Sequence, residues 1–115
     1  MAVSKIENPM SVDESTCMQI AQGSVETNAV YKTGNIAFIS YEVSGATIAG
    51  WDGTVCQLRE GYRPTRTQMI GVLVNYAGTL NVQRLKVSPD GTIKTLIGSN
   101  TATAVYIRGI PILLN

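Results

Sequence analysis

The stretch "NIAFISYEV", Asn35 to Val43, constrains this chain more tightly than any other. Ala37, Ile39, Tyr41 and Val43 fall on one face, and Ser40 and Glu42 on the other. A period of two is the mark of extended backbone with one side toward a core, and a helix would scatter the same residues around its circumference. Ile36 and Phe38 make the second face apolar at its start, so that end is expected to be covered too.

From Thr16 onward, segments of this kind are broken by turn residues every ten residues or so, the spacing of sandwiches and barrels. "TQMIGVLVNY" sets Ile70, Val72, Val74 and Tyr76 on one face with Met69 and Leu73 opposite. Such a strand is central, or buried against a neighbouring subunit. In "TLNVQRLKVS" the apolar positions are Leu80 and Val82, then Leu85 and Val87; the phase slips by one, which predicts a β-bulge near Gln83-Arg84. "SPDGTI" reads as a hairpin turn, because Pro89 presets one φ angle and Asp90-Gly91 tolerates positive φ. "GWDGTV" repeats that turn chemistry at Asp52 to Thr54. Pro111 cannot donate to a ladder and places the closing segment at an edge or a bulge. Ile110, Ile112 and Leu114 belong either to the core or to a three-fold axis between subunits.

No helical period with good caps lasts beyond about eight residues. The expectation is therefore an all-β chain, an antiparallel β-sandwich of jelly-roll type with about seven to nine strands. Residues 1–14, with Asn8-Pro9 and no clear period, read as an N-terminal arm or linker, and 15–115 as a single β-sandwich domain. A chain of 115 residues has room for one core.

Charge narrows the partners. Only 15% of residues are charged, against roughly 25% in soluble domains, so the surface is carried by Thr, Ser, Asn, Gln and Gly or hidden against other chains. A net charge of +1 argues against nucleic acid and anionic membrane as partners. No apolar run approaches the roughly 20 residues of a membrane helix, so no membrane insertion is expected, and the N-terminus has no apolar stretch of signal-peptide length. Cys17 and Cys56, without a CxxC or a histidine nearby, read as buried free thiols in a reducing compartment, with a bridge between two strands as the alternative.

The chemistry points away from catalysis. The chain has no histidine, which removes the Ser-His-Asp and Cys-His nucleophile systems and the commonest zinc ligand. It has no glycine-rich phosphate loop, and Glu42, Asp52, Glu60 and Asp90 lie on different expected elements. We expect no enzyme activity, metal or cofactor. Trp51, Tyr76 and Tyr31 can stack on sugar rings, or can be partly buried core aromatics.

The order of features carries a resemblance. "SGATIAGW" leads into "TVCQLREGYRPTRTQM", then an alternating strand, then "GTLNVQRLKVSPDGTIKTL" and finally "ATAVYIRGIPILL". Over roughly residues 29 to 114 this resembles the C-terminal head domain of bacteriophage tail-fibre and receptor-binding proteins, including those encoded by prophages of Gram-positive bacteria. Leu58, Gly61, Tyr62, Arg63 and Pro64 match the family's Leu-Pro-x-Gly-Tyr-Arg-Pro signature, with Arg59 in place of its first proline. The resemblance implies a jelly-roll head, usually a homotrimer, at the far end of a tail fibre or baseplate beside other phage tail or baseplate proteins. It implies a place in the virion after synthesis in the bacterial cytoplasm, and a host cell-surface saccharide as ligand. On residue type and expected loop placement, the saccharide-binding candidates are Trp51, Asp52, Asn75, Tyr76, Asn81 and Arg84. The alternative is a structural trimeric cap or assembly module of the tail with no receptor binding of its own. A trimeric sandwich of the tumour-necrosis-factor or C1q type would share the architecture, but the missing secretory signal and cysteine framework argue against it.

Within "REGYRPTRTQM" the residues themselves suggest structure rather than a ligand site. Leu58 closes a strand, Gly61 supplies a flexible backbone position, and Tyr62 folds onto the sandwich edge. Pro64 biases Arg63 to an extended conformation that launches the next strand. The Arg63 guanidinium is expected to pair with Glu60 or with backbone carbonyls.

Overall fold

A computed structural model of the chain describes residues 11–13 and 16–115. These form eight strands and no helix: β1 (Ser11–Asp13), β2 (Cys17–Gln19), β3 (Ser24–Thr33), β4 (Ile36–Ser44), β5 (Ile48–Leu58), β6 (Gln68–Tyr76), β7 (Thr79–Val87) and β8 (Thr92–Leu113). All pairings are antiparallel and belong to one sheet. The expected all-β class is thus present, as an antiparallel sheet nearly closed into a barrel. Residues 1–10 and 14 of the expected arm lie outside the described residues, whereas Ser11–Asp13 add to the sheet as β1, Ser11 opposite Lys32.

Alternation builds the interior. On β4, Ala37, Ile39, Tyr41 and Val43 are all buried. They meet Ile70, Val72 and Val74 of β6, Leu85 and Val87 of β7, Val55 and Leu58 of β5, and Ile93, Val105 and Ile107 of β8 in one apolar core. Ile112 is buried in this core and Ile110 and Leu114 pack against it, which assigns the closing segment to the barrel interior. Cys17 and Cys56 are free and buried. They sit near the Tyr41 hydroxyl, which is buried without a hydrogen-bond partner among the described residues. Burial pushes the Cys56 thiol and the Tyr41 phenol well above their ordinary pKa values, and the neighbouring Cys17 adds to both.

β8 shapes the barrel. β6 and β7 run antiparallel to each other, yet each also runs antiparallel to the part of β8 that it pairs with, β7 at Ile93–Thr95 and β6 at Ala102–Tyr106. A straight strand cannot satisfy both, so β8 turns between Thr95 and Ala102, where Gly98 takes φ +89°. β5 follows it around the corner through register shifts on either side of Trp51. The corner is tight. A Cβ on Gly50 would lie 1.9 Å from the Asn100 carbonyl oxygen, and one on Gly53 2.2 Å from that of Ala49. The buried Thr95 hydroxyl braces it, donating to Ala49 O at 2.6 Å and accepting from the Gly53 N–H at 3.0 Å.

Two side-chain amides bridge strands where the ladders stop. The Asn28 amide of β3 accepts from the Cys17 N–H at 2.9 Å and donates to the Cys17 carbonyl at 2.7 Å, linking β3 to β2. Gln68 at the start of β6 does the same for Leu113 of β8, accepting at 3.1 Å and donating at 2.6 Å. Each amide presents one donor and one acceptor as a strand backbone would, so each leaves two fewer orphaned backbone groups at a seam.

Two local expectations are corrected. No bulge occurs at Gln83-Arg84: the β6–β7 register runs unbroken from Gln68↔Val87 to Tyr76↔Thr79. The slip in apolar phase is a change of face. Leu80 and Val82 point outward and are exposed, whereas Leu85 and Val87 point into the core. Asp52 to Thr54 is not a hairpin turn either, because β5 runs on through it; Asp52 adopts φ +57° as part of the corner. The Ser88–Gly91 turn does form, with Gly91 at φ +92°. Hydrogen bonds from the Thr92 N–H and hydroxyl to Asp90 Oδ1 hold the Asp90 carboxyl below its usual pKa.

The signature loop is structural in its contacts. Arg63 Nε donates to Leu58 O at 2.8 Å, and its side chain lies where a Cβ on Gly91 would fall, 2.7 Å from Nε. Of the two expected arginine partners, the backbone carbonyl is the one used. Pro64 is buried, and Lys32 Nζ both donates to Gly61 O at 2.9 Å and stands 5.1 Å from the centre of the Tyr62 ring.

Candidate functional site

The β5 corner thrusts the chain's single tryptophan outward, and Trp51 is 65% exposed. With Gly50 and Gly53 confined by backbone on either side, Trp51 and Asp52 have nowhere to go but into solvent. Asp52, in the left-handed region that Asp tolerates better than most residues, reaches Lys86 of β7 at 3.6 Å. This exposed ion pair contributes little to stability.

Strand register extends the surface from there. Trp51 pairs with Leu96, Leu85 with Thr95, and Arg84 with Gly71. One outward row therefore runs Trp51, Leu96, Arg84, Gly71 across β5, β8, β7 and β6. The next row carries Lys94 and Lys86, which are direct cross-strand partners, and Met69 opposite Lys86. Nothing lies within 4 Å of the point where a Gly71 Cβ would stand, so the surface is open beside Arg84. The result is a sheet face bearing an exposed indole at one side and cations at the other.

Of the six sequence candidates, Trp51, Asp52 and Arg84 gather on this face. The other three do not join them. Asn75 stands outward on β6 opposite Leu80, near the hairpin end. Tyr76 packs against the core, and its hydroxyl accepts from Gln83 Nε2 at 2.8 Å. Asn81 uses its amide on the Thr79 carbonyl at 2.9 Å. Tyr31, the third aromatic considered, lies elsewhere on β3, its ring centre 6.4 Å from that of Phe38.

Residue-type reasoning missed Lys86, Lys94 and Leu96. A signal for the lysines was present, since a hairpin turn over Ser88–Gly91 forces residues 86 and 94 opposite each other. Leu96 depends on the register shifts of β5, which no local pattern encodes.

Away from this face, a groove of about 390 Å³ is lined by Thr65, Arg66, Thr67, Gln68, Leu113 and Asn115. None of the six candidates lines it, and its Gln68 amide is committed to the Leu113 backbone. Among the described residues no group of three or more His, Cys, Asp or Glu is placed to hold a metal ion. No helix there is long and apolar enough to cross a membrane. Comparison with protein-family models and with curated proteins finds no match.

Proposed function

We propose that this chain is the receptor-binding head of a bacteriophage tail fibre or baseplate, a jelly-roll homotrimer that recognises a host cell-surface saccharide through the Trp51 face. The observation that carries the reading is the exposed indole of Trp51, set on a rigid corner and flanked by Asp52, Lys86 and Arg84. A sugar ring offers C–H groups to an aromatic face and hydroxyls to neighbouring polar groups, and this surface supplies both kinds of contact. The reading involves no catalysis, metal or cofactor. The signature residues Leu58, Gly61, Tyr62, Arg63 and Pro64 hold the barrel end and leave binding to the corner.

Titration of the folded protein with host cell-wall polysaccharide tests it. We expect saturable binding that weakens about five- to tenfold in Trp51→Ala, the scale of one aromatic packing contact. A folded trimer that binds no saccharide at millimolar sugar sinks the receptor role.

A second reading, a structural trimeric cap of the tail, draws support from the outward residues Met69, Leu73, Leu80 and Val82 on β6 and β7; Val82 is 72% exposed. An apolar strip of this kind suits burial against two further copies of the chain. Light scattering separates oligomer from ligand: a stable trimer without saccharide affinity favours the cap, and a monomer at micromolar concentration rejects trimerisation in both readings.

A further inference from the structure

The Trp51 face carries more positive charge than its fold requires. Lys86 and Lys94 are direct partners on β7 and β8, and like charges opposite each other destabilise a sheet. Arg84 stands one row further along the same side of β7, opposite Gly71. The counter-charges are few. Asp52 reaches only Lys86, and the Asp90 carboxylate accepts from Thr92 at the turn and feels Lys94 through space, without a direct ion pair. Among the described residues neither Lys94 nor Arg84 has an ion-pair partner. The whole chain holds nine lysines and arginines, and three of them gather here against two carboxylates, Asp52 and Asp90.

Resting on the saccharide reading, we infer that this face takes an anionic saccharide, a polymer bearing carboxylate or phosphate groups, with a sugar ring on Trp51 and the anion among Lys86, Lys94 and Arg84. Adjacent strands are about 4.8 Å apart, which puts β5 and β7 roughly 10 Å apart across β8. A ligand spanning from indole to guanidinium is therefore about two sugar units long. A bound anion adds negative charge beyond that of Asp52 and Asp90 and gives Lys94 and Arg84 a direct partner, so the repulsion in the free sheet becomes part of the affinity.

The probes are an oligogalacturonate, its uncharged methyl ester on the same backbone, and a phosphorylated oligomannose. Trp51 is the only tryptophan, so its fluorescence reports on this face directly. At low salt the oligogalacturonate or the phosphorylated oligomannose is expected to bind about tenfold or more tightly than the ester, and to lose that advantage as salt rises toward about 300 mM. Which of the two binds better identifies the anion as carboxylate or phosphate. Lys94→Gln is expected to weaken anionic binding about tenfold and ester binding no more than about twofold. Gly71→Glu is a second variant that the fold accepts, since its side chain enters open space, and its carboxylate beside Arg84 is expected to repel the same ligands. Ester and acid binding equally, with no effect of either variant, overturns the anionic assignment and leaves the saccharide reading standing. Binding of none of the three probes while host cell-wall polysaccharide still binds overturns the anionic assignment alone, and failure of the polysaccharide as well overturns both.

Discussion

The β5–β8 corner and the β6–β7 hairpin are both bends in the same sheet, and they are built in opposite ways. At the corner, shape decides everything: Gly50 and Gly53 sit where backbone oxygen leaves no room for a methyl group, and one threonine hydroxyl satisfies the backbone that the bend exposes. In the hairpin the ladder decides. Its register is unbroken, its turn is the two residues Ala77-Gly78 at φ +54° and +74°, and Gly71 in its middle faces empty space. The same residue type is thus mandatory in one bend and dispensable in the other. A glycine's role is set by what surrounds its missing Cβ.

The sharpest way to break this contrast is a matched pair of substitutions. Gly50→Ala is expected to destabilise the fold by about 3 kcal/mol, because backbone must move to admit the methyl group. Gly71→Ala is expected to stabilise it by about 0.5 kcal/mol, since it trims unfolded-state freedom without a clash. Urea midpoints of the two variants decide the matter, and equal losses would end the distinction. Thr95→Val keeps the shape of a fully buried side chain but takes the acceptor from the Gly53 N–H and the donor from Ala49 O. A loss of about 2 kcal/mol is expected, with faster amide exchange at Gly53 as its local sign. The smallest effect belongs to the hairpin turn. Ala77 occupies a left-handed position that Asn or Gly fills more easily, so Ala77→Asn should raise stability by about 0.5 kcal/mol, visible as a small rise in Tm.

These two regions also mark where sequence reading succeeds. The buried set of β4 and the Ser88–Gly91 turn were legible because each depends on residues within one strand or one turn. The change of face along β7 was not. Leu80 and Val82 look like a continued core pattern, and only the unbroken register reveals that they share the outward face of Arg84 and Lys86. Asp52-Gly53-Thr54 misleads for a similar reason: its local chemistry equals that of a true turn, and the difference lies in Thr95, far away in the chain. Among the site candidates Trp51 was legible as a type of residue. Its grouping with Lys86 and Lys94 depended on the pairing of three separate strands.

The long closing strand has a consequence for how the protein is made. β4, β5, β6 and β7 all pair with β8, and every one of them precedes it in the chain. A ribosome delivers the N-terminal partners first, so four strands emerge with unsatisfied edges and wait for Thr92–Leu113. The ladder that joins Ile36 to Leu113 closes only after all of β8 has left the exit tunnel. The barrel therefore cannot close until Thr92–Leu113 has emerged, and the open edges of β4 to β7 are most exposed to aggregation in that interval.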